Sequence, residues 1–254
     1  MIITNLNNKG GVGKTTNTIH FGAALEMKGY KVLFIDCDSQ CDLTYAVKAD
    51  NTNYSIIDFL EGPTKESHPN FQLTAITDHF FALAGSSDFF AGNYDAKALK
   101  KALENPAQNL TQMFDFIFID VPPEKINPKI VAPMEMALTC ADGFIVPIEA
   151  QDFSIKNLNL FIDKALNIKS VNQKLHFIGF YFTNILTTTK MFKEYYASML
   201  ENYSNICFET YIRRDAEVAQ ATASQMTIFE YNPNCRAAAD YIKFIDEFLV
   251  RIKK

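Results

Sequence analysis

Short apolar runs alternate with longer helix-period segments along this chain. The runs are rich in β-branched and aromatic residues and are apolar at consecutive positions, which is typical of strands buried on both faces. The strand candidates are Ile2–Leu6, Val32–Ile35, Phe80–Ala84, Phe116–Ile119, Phe144–Ile148 and Phe177–Phe182. The helix candidates lie near Thr15–Lys28, Ala96–Glu104, Lys129–Cys140, Ser154–Leu166, Thr188–Tyr203 and Arg236–Ile252. This order predicts an α/β fold, a doubly wound and mostly parallel sheet with helices on both faces.

The chain has 254 residues, of which 48% are hydrophobic, so it can bury a sizeable core. It contains no internal repeat and no linker rich in proline or glycine, and Glu61–Asn70 is predicted to be a surface loop. We therefore expect one domain that covers residues 1–254.

Charge and cysteine content narrow the class of protein. The net charge of -5 argues against a surface that is basic throughout, although a local basic patch is compatible with it. The five cysteines are scattered and the four histidines are far apart in sequence, so we expect reduced thiols and no structural metal. Met1 leads directly into an apolar strand without a basic leader, and no run approaches the ~20 apolar residues of a membrane span. We expect a cytoplasmic protein.

A glycine-rich segment, NKGGVGKTT from Asn8 to Thr16, stands between the first strand and the first helix. Glycines let backbone N–H groups approach phosphate oxygens, while a following lysine reaches the β- and γ-phosphates and a hydroxyl ligates Mg²⁺. The alternative is a glycine-rich turn that holds no ligand. The expected nucleotide-binding residues are Gly10, Gly11, Val12, Gly13, Lys14, Thr15 and Thr16, with Lys14 also catalytic and Thr15 also a metal ligand.

The general phosphate-loop pattern fails at Asn8, where glycine is usual, and Lys9 follows at once. Lys9 through Thr16 match the form KGGxGK[ST][ST], and the chain here resembles the ParA/MinD family of P-loop ATPases with a deviant Walker A motif. The resemblance implies ATP with Mg²⁺ as ligands and an ATP-sandwiched homodimer. It also implies that Lys9 reaches across to the partner's phosphates and acts in catalysis. Taken alone, Lys9 would be interpreted as a solvated loop lysine.

Two acidic motifs end predicted strands. Asp36 and Asp38 resemble the family's D-x-D-x-Q motif, which implies that Asp36 supports magnesium and the loop and that Asp38 positions the attacking water. A pair of Asx turns is the alternative. Asp120 ends an apolar strand, as a Walker B aspartate that reaches Mg²⁺ through water must do, and Pro122-Pro123 match the family's D-x-P-P.

Downstream, the resemblance suggests that Asn184 recognises the adenine edge, since an amide offers both a donor and an acceptor. A turn asparagine is the alternative. Ile212–Asp215 resemble the family's I-P-R-[ND], with Arg213 where proline is usual, and Glu217 stands where a DNA-binding arginine is common. Other cations could form a DNA-binding face, and the candidates are Lys190, Lys193, Arg213, Arg214 and Arg236.

The last predicted helix is amphipathic and ends in basic residues, so it could lie on a membrane as in MinD. Packing of its apolar stripe on the sheet is the preferred interpretation, and stable membrane association is not expected.

The resemblance implies a ParA-like ATPase for plasmid or chromosome partitioning. In that hypothesis an ATP-dependent dimer binds DNA non-specifically, associates with the nucleoid and is reset when a ParB-like protein stimulates slow hydrolysis. The alternatives are a MinD-like positioning ATPase and a nucleotide-gated adaptor for a protein cargo.

Overall fold

The protein is described by a computed structural model that covers residues 1–62, 71–123, 130–150 and 155–253. Its centre is a seven-stranded sheet. The strands are β1 Ile2–Asn5, β2 Val32–Asp36, β3 Thr74–Ala75, β4 Phe80–Leu83, β5 Phe116–Asp120, β6 Gly143–Ile148 and β7 His176–Phe182. All six predicted strands are therefore present.

The helices are α1 Lys14–Met27, α2 Asp42–Ala46, α3 Ile56–Glu61, α4 Ala98–Leu103, α5 Leu110–Met113, α6 Pro133–Cys140, α7 Ile155–Leu166, α8 Lys190–Tyr203, α9 Ala216–Ala223, α10 Ile228–Tyr231 and α11 Arg236–Arg251. The six predicted helices correspond to α1, α4, α6, α7, α8 and α11. The predicted starts at Lys129 and Ser154 lie outside the described residues. Of the predicted loop at 61–70, Glu61 instead ends α3, and residues 63–70 lie outside the described part of the chain.

The strand order is β3-β4-β2-β5-β1-β6-β7, and neighbours are parallel except for the β3–β4 pair. After β1 the chain moves to one side for β2, and after β5 it moves to the other side for β6. The carboxyl end of β1 is therefore a place where the connections diverge, and open α/β sheets bind ligands at such points. The glycine-rich segment follows β1 there.

Successive strand residues point into two separate cores. On β2, Leu33 and Ile35 join one core, while Val32 and Phe34 join the other. The first core is closed by α3, α4, α6, α7 and α8 and the second by α1, α2, α9, α10 and α11. The predicted doubly wound arrangement is confirmed, and burial on both faces explains why the strands are apolar at every position.

The last helix, α11, packs on the second core. Tyr241, Phe244, Ile245 and Phe248 are each at most 1% exposed, and Phe244 stacks on Phe21 of α1. The predicted packing of the apolar stripe is confirmed. Within the described residues, no helix is long and apolar enough to cross a bilayer.

Candidate functional site

The glycine-rich segment forms a loop that feeds directly into α1. Gly11 and Gly13 have φ of 75° and 81°, a left-handed conformation that side chains other than glycine rarely adopt. Gly13 is the N-cap of α1 and has no side-chain oxygen to offer the N–H groups of the first turn. Those groups remain available for an anion at the positive end of the helix dipole.

Lys14 begins α1 and is only 6% exposed. Its Nζ lies 3.5 Å from the carbonyl oxygen of Lys9. Burial lowers the pKa of Lys14, and the nearby Asp120 and Asp38 carboxylates oppose that change. A buried ammonium whose one hydrogen bond within the described residues is this long is suited to a more strongly charged ligand, such as a phosphate.

Thr15 and Asp120 bring a hydroxyl and a carboxylate together below the loop. Thr15 Oγ1 donates to Asp120 Oδ2 at 2.7 Å, whereas Asp120 Oδ1 is buried and has no hydrogen-bond partner among the described residues. Burial and the neighbouring Asp36 raise the pKa of Asp120 to about 8. An unpartnered buried carboxylate oxygen beside a hydroxyl fits a site for Mg²⁺, which prefers oxygen ligands and keeps several waters.

Asp36 and Asp38 shape the turn that follows β2. Asp36 Oδ1 accepts from Asp38 N at 3.0 Å, and Asp38 Oδ1 accepts from Gln40 N at 2.9 Å. The other Asp36 oxygen accepts from the backbone N–H and the hydroxyl of Thr44, at 2.9 and 2.6 Å. These are the Asx turns considered as the alternative, so Asp36 supports the loop. Its contact with magnesium remains a prediction, as does the role of Asp38 in positioning water.

Burial also raises the pKa of Asp36, to about 6, against the lowering effect of its bonds with Thr44. Asp36 and Asp120 are register partners on neighbouring strands, so two carboxylates end side by side at the same sheet edge. A divalent cation would relieve their mutual repulsion.

One carboxylate joins two of the predicted site residues. Glu149 Oε2 lies 3.3 Å from Lys9 Nζ, and Glu149 Oε1 accepts from Asn184 Nδ2 at 2.7 Å. The Lys9 side chain is 47% exposed. The proposed cross-subunit lysine and the proposed base-recognition amide thus share a carboxylate that the sequence analysis did not select.

A cavity of about 780 Å³ opens beside the glycine-rich loop. Its walls come from the loop and α1, from the residues after β7, and from the segment that leads into α9. They include Gly11, Gly13, Thr16, Asn17, Thr183, Asn184, Arg213, Arg214, Asp215 and Tyr241. The position next to the loop and the size are suited to the base and ribose of a nucleotide.

Buried polar side chains hold the floor of this cavity in place. Asn17 Nδ2 donates to the hydroxyls of Tyr181 and Thr183 at 3.1 and 3.0 Å, and Tyr241 donates to Asn17 Oδ1 at 2.8 Å. Asn5 Nδ2 donates to the carbonyl of Lys14 and to Tyr181, at 3.1 and 3.0 Å. These bonds connect β1, α1, β7 and α11, so they fix the loop relative to the cavity.

Several of the cations proposed to contact DNA are paired with carboxylates. Arg213 makes two side-chain hydrogen bonds to Asp240, at 2.8 and 2.7 Å. Arg236 lies 3.7 Å from Asp215, and Lys190 lies 3.5 Å from Glu194.

Lys193 and Arg214 are exposed, and neither side chain has a hydrogen-bond or ion-pair partner in the described part of the chain. Ion pairing of Arg213, Arg236 and Lys190 therefore reduces the positive charge that the five proposed DNA-binding residues present. Contact of all five with DNA remains a prediction.

The sequence analysis missed Glu149, Thr44, Asn17 and Tyr241. Glu149 had a usable signal, because it directly follows β6 at the same sheet edge as Asp36 and Asp120. The other three have ordinary helical positions, and only their contacts distinguish them. Within the described residues, no group of three or more His, Cys, Asp and Glu side chains could hold a metal ion. Magnesium at Thr15 and Asp120 would therefore need ligands from phosphate and water.

Comparison with known proteins identifies a family that matches this chain and a similar protein. A family described as AAA domain matches residues 1–177. The chromosome-partitioning ATPase Soj of Treponema pallidum is 27% identical over 255 residues, which cover 97% of this chain and 96% of that protein.

Two solved structures share the fold. Cobyrinic acid a,c-diamide synthase from Mycobacterium smegmatis, with bound ATP analog and magnesium, has a TM-score of 0.76 at 24% identity and covers 100% of this chain and 96% of its own. A putative plasmid partition protein from Borrelia burgdorferi bound to AMPPNP has a TM-score of 0.74 at 21% identity and covers 99% and 98%. At these identities the likeness concerns the fold.

Proposed function

Because this chain belongs to the AAA domain family and resembles the ParA/MinD ATPases within it, we propose that it is a ParA-like ATPase that binds ATP with Mg²⁺ in the glycine-rich loop and hydrolyses it. The observation that carries the proposal is the 2.7 Å bond from Thr15 to Asp120 below that loop. It brings together the two oxygen ligands that such a reaction requires, from segments 105 residues apart.

Each residue of the site has a role in this proposal. The N–H groups of Gly10 to Thr16 and the Lys14 ammonium neutralise the phosphates, while Thr15 and Asp120 would hold Mg²⁺. The metal held there would supply positive charge that offsets the charge developing on the transferred phosphoryl group. Asp38 orients the attacking water, and Asn184 contacts the adenine edge.

In this proposal Lys9 makes dimerisation depend on ATP. Its side chain is nearly half exposed, and its contact with Glu149 is a surface ion pair, which is worth only about 0–1 kcal/mol. Exchange of this one contact therefore costs little free energy, and in the proposal Lys9 turns toward the phosphates of a second subunit. ATP then favours a dimer because only the γ-phosphate completes the contacts of both subunits.

The dimer, in turn, acts in DNA partitioning, as the name of the Treponema pallidum relative suggests. It binds DNA non-specifically through Arg214 and its neighbours, and a ParB-like partner stimulates hydrolysis and resets it. The nucleoid is then its site of action within the cytoplasm.

A nucleotide-gated adaptor for a protein cargo is the second candidate. Its support is the pairing of Arg213, Arg236 and Lys190 with carboxylates, together with Glu217 on α9. A MinD-like membrane role is the less favoured alternative, because the apolar stripe of α11 is buried on the core.

The nucleotide switch is tested by sizing the protein with Mg²⁺ and either ATP or ADP. Wild type should be a dimer with ATP and a monomer with ADP, and Asp38→Ala should accumulate the dimer because it hydrolyses ATP slowly. Lys9→Ala should stay monomeric although it still binds nucleotide. An Asp38→Ala protein that remains monomeric with saturating ATP would argue strongly against the switch.

The choice between DNA and a protein cargo is tested with random-sequence duplex DNA at low salt. The DNA hypothesis predicts ATP-dependent binding that weakens as salt rises and that Arg214→Glu abolishes. Lys101→Glu on α4 is the control, since it reverses another exposed charge away from the cavity. Absence of ATP-dependent binding to DNA by a protein that dimerises normally would favour the adaptor.

A further inference from the structure

We propose that Glu149 is a positioning residue that fixes the orientation of the Asn184 side-chain amide and thereby makes the site prefer adenine to guanine. This inference rests on the proposed function, because it concerns the base of the bound nucleotide. It begins from the two contacts of one carboxylate, with Asn184 Nδ2 at 2.7 Å and with Lys9 Nζ at 3.3 Å.

The backbone around both residues is held by the sheet. Glu149 directly follows β6, and its side chain is 18% exposed. Asn184 has a φ of 56°, and its neighbours donate backbone hydrogen bonds, Thr183 to Ile148 at 2.9 Å and Ile185 to Ile212 at 3.2 Å. The Asn184 side chain therefore starts from a fixed point, and its remaining freedom is rotation of the side chain itself.

Glu149 removes the ambiguity in that rotation. The two ends of an asparagine amide have nearly the same shape but opposite hydrogen-bonding character. An ionised carboxylate only accepts hydrogen bonds, so the end of the amide that faces Glu149 must be the NH₂ group. Lys9 contacts the second carboxylate oxygen, so Lys9 and Asn184 do not compete for the same atom.

The orientation of the amide matters because Asn184 lines the cavity beside the glycine-rich loop. With NH₂ turned to Glu149, Oδ1 is the one strong acceptor that the amide can offer to a base. Adenine carries an exocyclic amine that donates a hydrogen bond, whereas guanine carries a carbonyl oxygen at the same position. Guanine would therefore place two acceptors opposite each other and leave both unpaired.

The test replaces Glu149 with glutamine, which has the same shape but can also donate, so that the Asn184 amide can turn over. Calorimetry with AMPPNP and GMPPNP in the presence of Mg²⁺ gives the ratio of the two affinities. Wild type should prefer AMPPNP, and Glu149→Gln should reduce that preference about tenfold, mainly by tighter binding of GMPPNP. A general loss of structure would weaken both nucleotides and leave the ratio unchanged.

Two further variants test whether Glu149 acts on the nucleotide preference through Asn184. Asn184→Ala should lose the preference to a similar extent, and the double variant Glu149→Gln, Asn184→Ala should lose no more, since both changes remove one interaction. Glu194→Gln is the matched control. It removes the same charge from a surface pair on α8 and should keep the wild-type ratio.

An unchanged ratio in Glu149→Gln, or fully additive effects in the double variant, would overturn this inference and leave the proposed ATPase function intact. Equal affinity of wild type for the two nucleotides would also overturn it. Failure of wild type to bind either nucleotide would instead overturn the proposed function itself.

Discussion

The Thr15 hydroxyl donates a 2.7 Å hydrogen bond to the Asp120 carboxylate, and this bond joins the first turn of α1 to the carboxyl end of β5. Strand β5 lies beside β1 in the sheet, so the Asp120 carboxylate is directly next to the loop that would hold the phosphates. The hydroxyl and the carboxylate are thus held together at the edge of the sheet where the loop begins.

Removal of the Thr15 hydroxyl should abolish most of the magnesium-dependent hydrolysis. Thr15→Ala should lower kcat about 10²-fold or more, because the metal loses an oxygen ligand at the point where charge develops. Thr15→Ser is the matched control and should keep most of the activity, since it retains the hydroxyl. Phosphate release measured across a Mg²⁺ titration checks this, and a wild-type rate in Thr15→Ala at equal Mg²⁺ would contradict it.

The pairing of Arg213 with Asp240 predicts a cost in stability. Asp240 is 5% exposed, and Arg213→Ala would leave this carboxylate buried without its cation. The free energy of unfolding should fall by about 2 kcal/mol, less than for a fully buried pair because Arg213 is 30% exposed. Arg214→Ala, at an exposed position, should change it by less than about 0.5 kcal/mol.

Urea denaturation of Arg213→Ala and Arg214→Ala measures the difference between their free energies of unfolding. The double variant Arg213→Ala, Asp240→Asn should recover part of the loss, because it removes the buried charge as well. Equal free energies of unfolding for Arg213→Ala and Arg214→Ala would show that the Arg213–Asp240 ion pair does not stabilise the protein.

Stability should decrease in mild acid because of His20. This imidazole is 1% exposed, and burial lowers its pKa from 6.5 to about 3. The unfolded chain therefore binds a proton between pH 6.5 and about 3 that the folded chain does not, so the stabilisation is present above pH 6.5 and is lost as the pH falls. The loss amounts to about 2 kcal/mol at pH 5 relative to pH 8.

His20→Gln isolates this effect, because glutamine keeps an acceptor for the N–H of Ile228 but does not titrate in this range. The difference in unfolding free energy between wild type and His20→Gln should be about 2 kcal/mol smaller at pH 5 than at pH 8. If the difference in unfolding free energy between wild type and His20→Gln did not change with pH, His20 would not be the cause of the loss of stability in acid.

Gly22 should be intolerant of alanine, although alanine is normally the better helix former. A Cβ at Gly22 would lie 2.7 Å from Phe34 Cε1, inside the space of the ring. Gly22→Ala should therefore destabilise the protein by about 1–3 kcal/mol, where an unhindered helix position would gain about 1 kcal/mol. Phe34→Leu should relieve the clash, so a double-mutant cycle in urea should give a favourable coupling between the two changes.

The sheet and the phosphate loop could be predicted from the sequence because their signals are local. The strand beginning at Val32 is apolar at consecutive positions since both of its faces are covered, and the glycines of the loop are needed for backbone angles at those same positions. The short elements α2, α3, α5, α10 and β3 were not predicted, because segments of two to six residues are too short to show a period. The eight-residue helix α9 was not predicted either.

Contacts between distant segments decided the rest of the site. Arg213 and Asp240 are 27 residues apart, Tyr241 and Asn17 are 224 apart, and Asn184 and Glu149 are 35 apart. Except for Tyr241 on the apolar stripe of α11, each of these residues is compatible with an exposed position when its own segment is considered alone. Their roles depend on which strands are neighbours and on which side chains are thereby buried together.

The sequence by itself thus determined the fold class, the glycine-rich loop and the carboxylates that end β2 and β5. The tertiary structure alone decided that Thr15 meets Asp120, that Arg213 is bound to Asp240, and that one carboxylate at Glu149 holds both Lys9 and Asn184. The reason is physical. Backbone conformation and strand burial depend on a few consecutive residues, whereas hydrogen bonds and ion pairs depend on the order in which the strands are assembled into the sheet.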